Sequence, residues 1–280
     1  MNTFKRVMHN KAAFIFILIL LAIIVVGIFA PVIAPHDPIE TDTSLKYAAP
    51  SLEYPLGNDN LGRCVLSRLI HGIRPSILFV MGALLLTLVV GVTLGLIAGF
   101  FGGTADAVIM RICDAMLSFP SEVMTLALVG MLGVGMGNIL LAYIILKWAW
   151  YARMVRSAVM QYRDSNYIQF SKASGSSNFH SIFAHILPSV MSEIIVISSS
   201  SISSMILLVS GFSFLGLGIQ APNPEWGMML NEAKEVMYTH PFQMIPPGAA
   251  VMAMSLITAL LSDNLRDVLD PQHTLKEERG

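Results

Sequence analysis

Residues 12–34 read AAFIFILILLAIIVVGIFAPVIA, twenty-three positions without one charged side chain. At 1.5 Å per residue a helix of this length reaches about 35 Å, enough to cross a hydrocarbon core of about 30 Å. Lys5, Arg6 and Lys11 precede it. The run is too long for a signal-peptide core and has no small-residue cleavage site, so it is read as a first membrane span. Further apolar runs near residues 77–101, 117–134, 139–155, 190–216 and 245–261 bring the expected number of transmembrane helices to six. The third is the most interrupted, with Arg111 and Asp114 before it and Pro120 and Glu122 at its start.

Composition agrees with that reading. Of 280 residues, 55% are hydrophobic and only 12% charged, and mean hydropathy is +0.68, which places the chain in a bilayer. The net charge of −1 supplies no basic field for a nucleic-acid partner. The predicted fold class is all-α and polytopic. Residues 1–11 are expected as a cytoplasmic N-terminus, 12–34 as the first span, 35–76 as an extracytoplasmic segment, 77–267 as a five-helix transmembrane domain, and 268–280 as a cytoplasmic tail.

Orientation follows from lysine and arginine. With the N-terminus inside, the inner side holds Lys5, Arg6, Lys11, Arg111, Arg153, Arg156, Arg163, Lys172, Arg266, Lys276 and Arg279; the outer side holds Lys46, Arg63, Arg68, Arg74 and Lys234. The excess predicts both termini in the cytoplasm. Cys64 and Cys113 then fall on opposite sides of the membrane, too far apart for a disulfide.

The first outer segment is dense in turn formers up to Gly62. After it, Val65, Leu66, Leu69, Ile70 and Ile73 recur at helical spacing, predicting a short amphipathic helix at the interface. The second outer segment, about 217–244, carries Pro222, Pro224 and Pro241 with Glu225-Trp226-Gly227 and is expected to fold back near the surface. Between the fourth and fifth spans, residues 156–188 form the largest inner segment. Arg153, Arg156 and Arg163 fall at about 0°, 300° and 280° around a continuing helix, a basic face suited to anionic lipid headgroups. Turn residues Ser165-Asn166 and Gly175-Ser-Ser-Asn178 then bracket a short element presented for docking.

Gly175, nine residues, and then His185-Ile-Leu-Pro188 resemble the cytoplasmic coupling loop of ABC-importer permeases. Leu56-Gly-Asn-Asp-Asn-Leu-Gly-Arg63 with Ser67-Arg68, Trp148-Ala-Trp-Tyr-Ala-Arg-Met-Val-Arg156, Gly211-Phe-Ser-Phe-Leu-Gly-Leu-Gly218 through Pro224-Glu-Trp-Gly227, and Asp263-Asn-Leu-Arg-Asp267 with Asp270-Pro271 resemble the subgroup importing peptides, nickel and related chelates. The tract 148–157 and Thr239-His-Pro-Phe-Gln-Met244 most resemble nickel and metal-chelate permeases. The resemblance implies a type I importer permease fold, a second homologous permease, two ATPase subunits, an extracytoplasmic substrate-binding protein and surrounding membrane lipid. It also implies a coupling role for Gln169, Ser171, Ala173, Gly175, His185 and Pro188. Where the family's loop usually opens with glutamate and two alanines, this chain has Gln169, Phe170 and Ser171, so no role of that glutamate carries over.

An ATP-using chain needs a phosphate cradle of the form G-x-x-x-x-G-K-[ST], and none occurs. The chain is therefore expected to hold no cofactor, with ATP and magnesium bound by the partner ATPase. Lys147 in the fourth span is costly there unless paired or facing water, making it a candidate for the translocation path; pairing with Glu122 or Glu193 is the alternative. Ser200 and Ser204 in the fifth span are path candidates too, although small hydroxyl residues more often serve close helix packing. The 18 methionines read as flexible packing, and His36, His71 and His240 as loop histidines, leaving no metal site assigned. A membrane protease would need H-E-x-x-H or a serine with a histidine at membrane depth, and neither is present. An ion-coupled carrier would need several acids inside its spans. The expected function is import of nickel or a metal chelate, with di- or oligopeptides as the alternative cargo.

Overall fold

The computed structural model describes residues 10–269. Lys5 and Arg6 at one end, and Asp270-Pro271 with Lys276 and Arg279 at the other, lie outside the described residues. The elements in order are α1 (Lys11–Ile28), α2 (Val65–Ile73), α3 (Val80–Phe101), α4 (Gly103–Leu117), α5 (Ser121–Leu132), α6 (Met136–Arg163), α7 (Asn166–Ala173), α8 (Leu187–Phe214), α9 (Trp226–Lys234) and α10 (Ile245–Leu269). Four helical paths are long and apolar enough to cross a membrane: Lys11–Ile28, Val65–Phe101, Asn178–Phe214 and Pro241–Leu269. The pair α4 and α5 passes the same test together but is bent by 81°. With the 28-residue α6, about 42 Å long, six paths result.

The interrupted third run is this bent pair. Ser118, Phe119 and Pro120 separate the two helices, because a residue before proline avoids the α region and Pro120 has no amide to give. The amphipathic segment, expected as a separate interfacial helix, instead runs directly into the second span. A π turn over Arg74–Phe79 joins α2 to α3, absorbing Pro75, which could not complete an α-helical bond at that point.

The deepest seam lies between α3 and α6, the most extensively packed pair of elements. Gly91, Gly95 and Gly99 recur every fourth residue on one face of α3. A Cβ on Gly91 would stand 2.6 Å from Tyr151 Cβ, on Gly95 2.7 Å from the Ala152 carbonyl oxygen, and on Gly99 2.7 Å from Val159 Cβ. Lipid tails are as apolar as leucine, so burial in itself does little to join helices here. Close backbone approach and the dispersion contacts it permits do the work.

The two segments expected outside form one cap. Arg63 and Arg68, each about 1% exposed, share Asp59 and Glu232: Arg63 Nε lies 2.7 Å from Asp59 Oδ2, and Arg63 Nη2 and Arg68 Nη2 lie 3.0 and 2.8 Å from Glu232 Oε2. The Glu225 carboxylate caps α9 by accepting from the amides of Gly227 and Met228 at 2.9 and 2.8 Å, and also accepts from the Ser76 hydroxyl at 3.0 Å. Burial pushes this carboxyl group up from its usual range, against the pull of those two amides. Trp226 Nε1 donates to the Leu69 carbonyl at 3.0 Å and its indole lies over Gly72. Arg74 donates to the carbonyls of Gly27 and Ile28 at 2.8 and 2.6 Å, the unsatisfied acceptors at the end of α1. The three arginines counted as outer-side charges are thus internal ties.

Two outcomes are expected from this packing. Gly95→Leu should abolish monodisperse protein in detergent, whereas Gly82→Ala, where a Cβ meets nothing within 4 Å, should leave the size-exclusion profile intact and gain up to about 1 kcal/mol of helix propensity. Arg68→Ala takes from Glu232 one of its two arginine partners, leaving Arg63, and should cost about 1.5–3 kcal/mol, read as a lower temperature for loss of folded protein on heating.

Candidate functional site

The loop after α6 is built from ordinary helix chemistry. Asp164 ends α6, and α7 follows at once. Its end is a Schellman turn: the Ser176 amide reaches back to the Ser171 carbonyl at 3.2 Å, and Gly175 takes φ +82°, the left-handed conformation that favours glycine. Ser177 then caps the next helix, accepting from the His180 amide at 3.2 Å. From there a helical path runs unbroken from Asn178 to Phe214. Pro188 has no amide to donate and could have broken this path. It instead lies in the first turn of α8, after a second π turn over Ser181–Ile186 that accommodates its missing amide.

One face of α7 is anchored and the other open. Ile168 is fully buried against Leu96, Phe100, Val155, Val159, Ile182 and Ile186, the junction of α3, α6 and the long helix. Tyr167 packs edge-on to His185 and lies 3.2 Å from the Ser189 hydroxyl. Gln169 donates to the Asp164 carbonyl at 3.0 Å. On the open side Phe170 is 75% exposed, Ala173 is exposed, and nothing lies within 4 Å of a Cβ built on Gly175. The Ser171 hydroxyl is buried without a partner among the described residues. The chain thus offers an aromatic knob and a smooth glycine end on a helix pinned by one isoleucine. The sequence reading singled out Gln169, Ser171, Ala173, Gly175, His185 and Pro188 and missed Ile168 and Phe170; their placement on opposite faces of one short helix was the available signal.

The basic stripe has a different use from lipid anchoring. Arg156 Nη2 donates to Asp106 at 2.6 Å as one arm of a fork, Arg153 pairs with Asp114, and Arg163 donates to the Gly99 carbonyl at 3.3 Å. These bonds tie the broken helix α4 and the end of α3 to the helix that leads into the loop.

Lys147 sits eleven residues into α6, about 16 Å from its start. Its Nζ stands 3.6 Å from Glu122 Oε1, which the bend at Pro120 brings to the same level. Both line a cleft of about 490 Å³ with Tyr143, Ser204, Leu208, Phe212 and Leu215. Lys147 and Ser204 therefore share one cleft. Ser200 does not: its hydroxyl meets Ser262 of α10 at 2.6 Å, and Ser203 donates to the Ser255 carbonyl at 3.1 Å, so these serines pack α8 against α10. His36 stacks on Tyr54 and His240 on Tyr47, while Cys64 and Cys113 are buried and free.

Six membrane paths, a largely apolar cleft among them that holds the Glu122–Lys147 pair, and a helical loop presented at one end define a multi-pass membrane permease. The chain belongs to the family of binding-protein-dependent transport system inner membrane components, whose model matches residues 91–274. Residues 2–50 match the N-terminal transmembrane domain of oligopeptide transport permease C. It is similar to the metal-staphylopine import system permease protein of Staphylococcus aureus, at 46% identity over 98% of this chain and 95% of the relative. To the nickel transport system permease protein of Escherichia coli the identity is 39% over 85% and 86%. To the dipeptide transport system permease protein of Alkalihalophilus pseudofirmus it is 38% over 97% and 89%.

Ile168→Ala removes the fully buried anchor of α7 at a cost of about 2–4 kcal/mol. Hydrogen exchange should then quicken across residues 164–177 while the amides of α3 and α6 keep wild-type protection.

Proposed function

We propose that the chain forms one transmembrane half of an ATP-driven importer for nickel or a metal chelate. Its partners are a second homologous permease, two ATPase subunits that bind ATP and magnesium, and an extracytoplasmic binding protein. Both termini lie in the cytoplasm, which puts α7 on the ATPase side and the cap built around Arg63 and Arg68 outside. The observation that carries this reading is the exposed helix α7, seated on the inner end of an unbroken 37-residue helical path. A push on Phe170 and the Gly175 end bears on Ile168, and through it on the junction of α3, α6 and α8. Lys147 and Ser204 line the route of the cargo.

The metal-chelate preference rests on the similarity to the staphylopine and nickel permeases. Dipeptides are the second reading, supported by the dipeptide relative of comparable identity. Radioactive nickel uptake by the reconstituted complex should be chased by chelators and not by excess dipeptide; the reverse pattern would move the cargo to peptides.

Gly175→Val should uncouple hydrolysis from uptake or weaken ATPase association without disturbing membrane insertion. The open space around the residue leaves backbone strain of about 1–2 kcal/mol as the cause. Gly175→Asn, whose side chain tolerates the left-handed region, should retain most uptake. Full uptake by the valine variant would remove the coupling role.

A further inference from the structure

The cleft beside Lys147 holds two opposite charges in a wall that is otherwise largely apolar. Met205, Leu208, Phe212 and Leu215 line it, and its volume of about 490 Å³ suits a small solute. The charges are unevenly sheltered: the Lys147 side chain is 28% exposed and that of Glu122 59%. Their separation of 3.6 Å exceeds the 2.7–2.9 Å of a closed charge-assisted hydrogen bond. Glu122 takes a second contact from the Ser121 hydroxyl at 2.9 Å, so its carboxylate is fixed in direction without being used up by Lys147. Ser204 adds a hydroxyl on the α8 side.

A pair that is near but not closed, and open to a cleft, can exchange partners at little net electrostatic cost. A ligand carrying one negative and one positive group would replace each half of the pair with its own opposite charge. A purely anionic or purely cationic ligand would satisfy one residue and leave the other without its partner. We propose that Glu122 and Lys147 form a zwitterion-binding site, Lys147 taking a carboxylate and Glu122 an ammonium or amine-bearing group of the transported solute. This rests on the importer reading above and narrows its cargo to molecules that carry both groups. An amino-acid-based metal chelate and a free dipeptide share that chemistry.

The test combines equilibrium dialysis on the permease–ATPase complex in nanodiscs, without the binding protein, with ATP-dependent uptake by proteoliposomes supplied with it, using three radiolabelled probes: the nickel–histidine chelate, a free dipeptide, and the same dipeptide with its amino group acetylated. Wild type should bind the chelate or the free dipeptide about tenfold better than the acetylated form, and which of the two binds better identifies the source. Glu122→Gln should collapse that ratio to about one, since the lost contact is the one that reads the amine. Lys147→Met should weaken all carboxylate-bearing probes, while Lys147→Arg, which keeps the charge, should retain binding and serves if the methionine variant fails to assemble. Unchanged discrimination in Glu122→Gln, or no probe binding by wild type while ATP-dependent uptake proceeds, would overturn the site. Absence of uptake for every probe would overturn the cargo reading and this inference with it.

Discussion

Close approach of α3 to α6 is the contact on which the rest of the molecule depends. Three glycines in register on α3 let its backbone lie against the carbonyls of Trp148, Ala152 and Arg156, a distance at which even a methyl group would clash. In a bilayer there is little hydrophobic gain in bringing two helices together, so shape has to supply the energy. The seam places α6 accurately, and α6 carries what the functional regions use: Lys147 midway, Arg153 and Arg156 lower down, and the turn into α7 at its end. Shifting α6 outward by one methyl would move each of these relative to its partner on α4, α5 or α3.

Charge serves a different purpose here from the one its sequence positions suggest. Arginines counted as outer-side charges or read as facing lipid headgroups are spent on internal bonds. Arg63 and Arg68 join two segments more than 150 residues apart through Asp59 and Glu232, and Arg74 caps the end of α1. Arg153 and Arg156 hold the broken helix α4. Such pairs are costly to desolvate and so add little stability over an apolar core, but each becomes expensive to break once formed. They fix which segments meet. The pair of Glu122 and Lys147 is the exception, being left open to a cleft and not closed into a bond.

Both π turns stand where a proline would otherwise break a helix, Pro75 at one end of the bundle and Pro188 at the other. Each lets a span continue into the polar segment beside it, so that the cap and the loop are extensions of membrane helices. Ile168 packs α7 against the second of these extensions at Ile182 and Ile186.

The sequence by itself determined the class of structure. Apolar runs of bilayer length and the motifs around Gly175 and Arg63 were enough for a polytopic permease, and Gly175 at the end of a short helix was legible because a left-handed turn favours glycine. Tertiary structure decided everything that depends on which faces meet. The Gly91, Gly95 and Gly99 repeat was visible as spacing but had no partner until α6 was placed against it. Ser200 and Ser204, one helical turn apart, were indistinguishable in sequence, yet a small rotation around α8 turns Ser200 to Ser262 and leaves Ser204 in the cleft. Glu122 lies far from Lys147 along the chain, and only the 81° bend at Pro120 brings the carboxylate to the level of the ammonium group. Periodicity reports the direction of a side chain within its own helix, whereas the neighbour it finds is set by how the helices cross.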